Sequence, residues 1–565
     1  MDAVAKVAMT LNYVLDASCS KYRDTPAIGM AMETPLSYGD FRERVLALAA
    51  RFLAEGIVKG DRVALLGENS PNWGTAYLAI VRIGAIAVPI LPDLPESDVH
   101  HILGEMKVKA LFVTQKQIEK IYELRAEMYG RIVTLDDAAA DLAGPEVVPM
   151  SRYVDEALER FRQDAEPPPL PEVAEDDPAS ILYTSGTSGF SKAVVLSHKN
   201  LTANAYAASS LMAISPGTTW LSILPMSHTY EFTCGFILPL LLGGRIAYAG
   251  KSPTPAILQK LCEHEKPKVI FAVPLVLEKI YKKRVLPQLE KSRVLGMLCK
   301  FGPTRKLIFR KIGAKLIAFF GGQLQLMGVG GAALNPEVER FLHEARFPYL
   351  IGYGMTESAP LIAGGPFGDR TIAIGSTGKP IPGVQVKIVD PDPASGIGEI
   401  TVCGSNVMRG YHNDPEATAA VLSADGWLST GDLGVFDKAG NLHVRGRSKN
   451  VIVLPSGENV YPEAIEHKIN TYPWVTESLV LENHGQVEAW VYPDYEFVDE
   501  QTAGGSRIDR RTYIEGLLES LRSEVNEQLP KASRLTRVFE RRDPFIKTAT
   551  HKIKRYLYHG TAMVG

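Results

Sequence analysis

Three observations predict an α/β fold with largely parallel sheets, followed by a small α+β unit. Short apolar runs alternate with helix-length periodic stretches over most of the chain, the rhythm of β–α–β units. After about Arg447 that rhythm gives way to short strands, turns and amphipathic helices. Hydrophobic residues make up 45% and charged residues 22% of the 565. That ordinary globular balance excludes disordered and fibrous classes and leaves ample apolar material for a core. Length alone, at about 150 residues per domain, is compatible with roughly four units or with two or three unequal ones.

The elements follow in chain order. Residues 62–66 (RVALL) read as a buried strand, 73–84 as a helix and 85–91 as the next apolar strand. Residues 166–179 (EPPPLPEVAEDDPA) combine proline with acid and predict an extended surface connector. Residues 269–273 (VIFAV) and 349–351 are short apolar runs before turns, and Asn335 followed by Pro336 predicts a capped helix over 336–345. Residues 291–320 hold eight Lys or Arg and no Asp or Glu, and Ile308, Phe309, Ile312, Leu316, Phe319 and Phe320 fall on one helical stripe. Such a stripe can lie on an anionic membrane surface or dock into a core with its lysines outside. Near the end, Ile514, Leu517, Leu518, Leu521 and Val525 share one face of a helix that Pro530 stops.

Charge and cysteine usage narrow the function classes. Lys plus Arg is 61 and Asp plus Glu is 64, a net charge of −3, so no global field draws in nucleic acid. The five cysteines, at 19, 234, 262, 299 and 403, form no CxxC pair and imply neither a disulfide framework nor a zinc site. A reducing, cytoplasmic compartment is expected. The start, MDAVAKVAMT, does not read as a secretory leader. The most apolar run, residues 236–244, is far shorter than the roughly 20 residues that span a bilayer. At most, peripheral contact with the inner membrane face through 291–320 is expected.

The sharpest local signal is residues 181–198, ILYTSGTSGFSKAVVLSH. An apolar strand leads into Thr184, Ser185, Gly186, Thr187, Ser188 and Gly189, with Lys192 three residues on. Glycines let successive N–H groups turn toward one anion, while hydroxyls and a lysine add donors and charge. A nucleotide triphosphate suits such a loop; a plain Ser/Gly turn is the competing reading. No GxxxxGK[ST] is present, and AVVL at 193–196 reads as a second strand, so the loop belongs to a hairpin and not to a Walker-type strand-to-helix turn.

These residues and others in order resemble the adenylate-forming enzymes, the superfamily of acyl-CoA synthetases, luciferases and peptide-synthetase adenylation domains. LPMSHTYE at 224–231 is similar to the substrate-side motif, YGMTE at 353–357 to the YGxTE motif and GWLSTGDL at 426–433 to the motif of the ribose-binding aspartate. GRSK at 446–449 matches the hinge, and KTATHK at 547–552 the loop of the catalytic lysine. The resemblance covers residues 10 to 558, and 450–466 (NVIVLPSGENVYPEAIE) looks most like the long-chain fatty acyl-CoA synthetase branch. It departs at Ser191 and Ala193, where proline and glycine are usual, and at His551, where glycine is usual.

The resemblance implies a large N-terminal domain (1–446) of layered sheets and helices, then a small mobile α+β domain (447–565) carrying the catalytic lysine. It further implies that Thr184 to Gly189 and Lys192 hold the β- and γ-phosphates, Glu357 ligates Mg²⁺ and Thr356 bonds the α-phosphate. Tyr353 would pack beside adenine, with Gly331, Ala332 and Ala333 leaving room for base and acyl group. Asp432 would accept from the ribose hydroxyls, supported by Arg447, and Lys552 would stabilise adenylyl transfer. Lys449 would be the hinge and Gly457 would lie near the pantetheine path. Ser227 and His228 would lie near the carboxylate or the tunnel mouth, and the lack of an aspartate in that motif favours an acid without an α-amino group.

The expected activity is therefore ATP-dependent conversion of a medium- to long-chain fatty acid to acyl-AMP, then to a coenzyme A thioester. Two rivals stand beside it: loading of an acyl carrier protein, and a silent lipid- or nucleotide-binding relative. Ser191, Ala193 and His551 make the silent reading conceivable.

Overall fold

The computed structural model describes residues 8–124, 128–137, 147–164, 169–184, 191–250, 253–290, 297–455, 458–502, 509–548 and 552–558. Two large sheets organise the first part. In one, eight described strands run in the order 410–411, 193–197, 178–183, 86–90, 62–66, 110–113, 131–134, 147–149. From 178–183 outward to 147–149 every pairing is parallel, and the hairpin of 178–183 with 193–197 is antiparallel. The other has nine described strands, with 349–354, 326–329, 269–272, 219–222, 245–248 and 26–30 parallel at its centre. Their all-apolar interiors are what burial on both faces demands. An antiparallel four-stranded sheet (384–389, 398–404, 428–436, 442–447) follows.

The sequence expectations for local elements largely hold. The strand Arg62–Leu66, the helix Pro71–Arg82 and the strand Ile86–Ile90 appear in that order. Asn335 caps the helix Pro336–Glu344 by accepting the Glu337 N–H. The connector ends earlier than composition suggested: Pro178 and Ala179 already belong to the strand Pro178–Tyr183.

The stripe of the basic segment takes the second of its two readings, docking into the core. Helix Gly302–Phe319 turns its stripe inward, with Phe309, Leu316, Phe319 and Phe320 buried and Ile308 and Ile312 packed on the same core. Phe309 meets Phe341 edge-on at 5.1 Å, and a Cβ at Gly313 would come within 2.6 Å of the Ala345 carbonyl oxygen. That interhelical contact consumes the face that was a candidate for lipid. No described helix is long and apolar enough to cross a membrane.

Beyond residue 447 the chain forms a separate arrangement. Strands 475–483 and 486–493 pair antiparallel, 537–540 joins them in parallel, and helices Pro462–Ile469 and Arg510–Glu527 cover the sheet. Ile514, Leu518, Leu521 and Val525 bury the expected face of the second helix. Among the described residues, the buried apolar clusters of 11–442 share no member with those of 452–558. Polar contacts join the two sides instead: Lys282 Nζ donates to the Val475 carbonyl at 3.1 Å, and Asn335 Nδ2 to that of His467 at 3.0 Å.

Candidate active site

The site is assembled where the parallel strands of the nine-stranded sheet end. Strand Tyr349–Gly354 delivers Tyr353, whose hydroxyl donates to Asp432 Oδ2 at 2.7 Å. Burial, reinforced by the Asp432 charge, holds that phenol well above its ordinary pKa, so it stays a donor. Asp432 sits on strand Leu428–Phe436, directly opposite Arg447 on the next strand. Arg447 Nε reaches Asp432 Oδ1 at 2.8 Å. One carboxylate thus accepts from a phenol and a guanidinium, a fixed acceptor at the cleft wall.

The sharp turn after Tyr353 places Thr356 and Glu357 on a short 3₁₀ segment, Thr356–Ser358. Glu357 is 9% exposed, and its Oε1 accepts from the Tyr411 hydroxyl at 3.0 Å. Among the described residues no three His, Cys, Asp or Glu cluster as a metal cage. A lone buried carboxylate fits a Mg²⁺ ion bound mainly through substrate phosphates and water, which needs only one or two protein carboxylates.

The hairpin carrying the phosphate loop closes as expected. Thr184 N donates to the Lys192 carbonyl at 3.0 Å, and Lys192 N reaches Thr184 Oγ1 at 3.3 Å. Lys192 Nζ lies 4.5 Å from the Tyr411 ring centroid. Ser185, Gly186, Thr187, Ser188, Gly189, Gly457 and His551 fall outside the described residues. Gly331, at φ +85°, lets the chain turn after strand Leu326–Val329, and Ala332 and Ala333 beyond it are exposed.

Lys552 comes from the far end of the chain into this field. Asp432 and Glu357 favour its charged form, yet enclosure by protein and the nearby Arg447 lower its pKa on balance. Its side chain still meets solvent, as a lysine reaching into an open cleft would. Lys449 is exposed on the 3₁₀ turn Ser448–Asn450, immediately after the Arg447 rung.

His228, in the segment that resembles the substrate-side motif, lies within electrostatic reach of Lys552. His228 caps the helix Thr229–Glu231, its Nδ1 accepting the Tyr230 N–H at 3.2 Å. The neutral ring therefore carries its proton on Nε2. Burial and then Lys552 push its pKa down to about 4, so it is an uncharged N–H donor at neutral pH. Ser227 is buried, and its Oγ has no hydrogen-bond partner among the described residues. The helix continues as a π segment, Phe232–Ile237, a distortion frequent at functional sites. Tyr230 packs edge-on against Phe271 at 5.6 Å, and a Cβ at Gly330 would sit 3.1 Å from its ring.

Two residues escaped the sequence reading. Tyr411, in GYHNDP, contacts both Glu357 and Lys192. Glu231 is 1% exposed, and burial raises its carboxyl to about 8, with a Ser222 hydrogen bond opposing. Glu231 stood inside a quoted motif; only its burial marks it out.

Comparison with known proteins gives a consistent picture. Residues 15–412 match the family model described as AMP-binding enzyme. The chain is 30% identical over 482 residues to the peroxisomal long chain acyl-CoA synthetase 7 of Arabidopsis thaliana, covering 79% of this chain and 66% of that protein. It is 29% identical over 513 residues to feruloyl-CoA synthase from Amycolatopsis sp, covering 88% and 91%. The ATP-bound crystal structure of MatB from Rhodopseudomonas palustris superposes with a TM-score of 0.75 at 24% identity, covering 97% of this chain and 98% of that one.

Proposed function

The chain belongs to the AMP-binding enzyme family, and from that premise we propose that it is an AMP-forming acid–CoA ligase acting on medium- to long-chain fatty acids. The observation that carries the reading is the convergence of Tyr353, Asp432, Arg447, Glu357 and Lys552 on one cleft beside His228. The long-chain assignment is supported by the resemblance of residues 450–466 and by the Arabidopsis relative. The feruloyl relative shows why the acid needs its own test.

In the first step a carboxylate oxygen attacks the α-phosphorus of ATP and pyrophosphate leaves. Asp432 and Arg447 hold the ribose side, Tyr353 flanks the base, and Thr184 to Gly189 with Lys192 grip the departing phosphates. Thr356 donates to the α-phosphate. Glu357 would hold Mg²⁺, which supplies positive charge to the phosphoryl oxygens. Lys552 brings its ammonium to the charge that develops as the bond forms, and His228 Nε2–H orients the incoming carboxylate. In the second step a thiolate attacks the acyl carbon and AMP leaves. We assign residues 1–446 and 447–565 to two units that reorient about Lys449 between the steps, with Gly457 on the thiol path. The separate apolar clusters and the polar contacts between them support that division.

Acid-dependent exchange of pyrophosphate with ATP across short, medium, long and aromatic acids tests the reading. Exchange peaking with fatty acids is expected; none with any acid would favour the silent alternative. Turnover with coenzyme A against holo-acyl carrier protein then identifies the acceptor.

The outward face of 297–315 supports a peripheral membrane contact, on residues other than the stripe expected. Met297 (63%), Phe301 (62%) and Leu307 (57%) are exposed beside Lys300, Lys306, Arg310 and Lys311. Apolar side chains ringed by cations suit an anionic bilayer, the source from which a fatty acid partitions.

A further inference from the structure

Tyr411 is fixed on every side before its side chain does anything. Strand Gly410–Tyr411 pairs antiparallel with Ala193–Ser197, the strand leaving the phosphate loop, with Tyr411 opposite Val194. The His412 N–H donates to the Ala193 carbonyl at 2.7 Å and the Met408 N–H to that of Glu357 at 2.8 Å. The Tyr411 N–H donates to Thr418 Oγ1 at 2.9 Å. Gly410, at φ +141°, admits this approach, since a Cβ there would lie 2.8 Å from Thr418 Cγ2. The segment is thus stitched both to the loop hairpin and to the backbone of the metal-site glutamate.

The side chain then serves both neighbours at once. Its hydroxyl donates to Glu357 Oε1, and its ring face carries the Lys192 ammonium. Resting on the ligase reading above, we propose that Tyr411 is a positioning residue that aims the Glu357 carboxylate at the metal and parks Lys192 at the mouth of the phosphate loop. A carboxylate that ligates through one oxygen is oriented by a hydrogen bond to the rest of it, and such outer partners typically set metal affinity within about 10- to 100-fold. A cation held by a ring face is held weakly enough to be passed to a triphosphate.

Binding of Mn²⁺ together with a non-hydrolysable ATP analogue, followed by the loss of the free-ion EPR signal, measures the site without turnover. Occupancy is referred to sites counted by saturation with the analogue, so partial misfolding cannot imitate a lost contact. Tyr411→Phe, which keeps the ring, should weaken Mn²⁺ about tenfold and leave metal-free analogue affinity unchanged. Tyr411→Leu should weaken both. Glu357→Gln should weaken Mn²⁺ at least as much, and adding Tyr411→Phe to it should cost nothing further. Wild-type Mn²⁺ affinity in Tyr411→Phe, or full additivity in the double variant, would overturn the role of Tyr411 while the ligase reading stands. Wild-type Mn²⁺ affinity in Glu357→Gln would instead overturn the metal role of Glu357 and this proposal with it.

Discussion

In the region proposed to hold the nucleotide, Asp432 accepts from Tyr353 and pairs with Arg447, while Glu357 accepts from Tyr411. Around the segment that resembles the substrate-side motif, Ser227 Oγ, Thr229 Oγ1 and Glu231 Oε2 are buried without a hydrogen-bond partner among the described residues. On the proposed reading the first region meets the same ligand whatever acid is activated, so its charges can be locked in advance. The second must accept one acid and refuse others. Buried polar atoms without a fixed partner discriminate strongly, because a wrong guest leaves them unsatisfied. On the proposed reading, reaction type rests on the ion pairs and substrate choice on the packing around residues 227–231.

The contrast can be broken most severely at Lys552. Lys552→Ala should slow acyl-AMP formation by about 10² to 10³-fold, as loss of one preorganised charge does, while thiolysis of preformed acyl-AMP persists. Equal loss in both half-reactions, measured by rapid quench, would contradict the assignment. Next comes Asp432→Asn, which strips the charge facing Arg447 and should raise the KM for ATP by about 10- to 100-fold, with the same factor for every acid tested. A factor that varied with the acid would blur the division between the two regions.

Glu231 sharpens the comparison from the other side. Its folded carboxyl is raised to about 8, above its unfolded value, so the stability from its neutral form is present at low pH and lost as pH rises toward 8. Wild type should lose about 2 kcal/mol relative to Glu231→Gln between about pH 5.5 and 7, at roughly 1.36 kcal/mol per pH unit per proton. Melting curves that stay parallel across that interval would show that the carboxyl already ionises in the fold. The smallest effect is expected at the surface: Lys306→Glu with Arg310→Glu should reduce co-sedimentation with anionic liposomes several-fold and leave exchange on a soluble acid unchanged. Unaltered sedimentation would remove the membrane contact.

Much of this was legible before any coordinates. Apolar runs such as 62–66 and 269–273 read as strands of a sheet covered on both faces, and the motif order singled out Tyr353, Asp432 and Lys552. The stripe at 308–320 was legible as a stripe, but the same spacing serves lipid and core alike; the interhelical contact at Gly313 decides between them. Tyr411 was hidden because its two partners lie 54 and 219 positions away in the chain, a proximity created by sheet pairing. The protonation of Glu231 was hidden because burial, not spacing, sets it.

The rung that joins Asp432 to Arg447 lies just upstream of Lys449. On the proposed hinge and nucleotide site, a swing about that lysine would leave the adenosine moored to a stationary wall while the rest of the small unit revolves past it. AMP would then be the last passenger to disembark, and its residence time would meter how soon the next molecule of acid can be accepted.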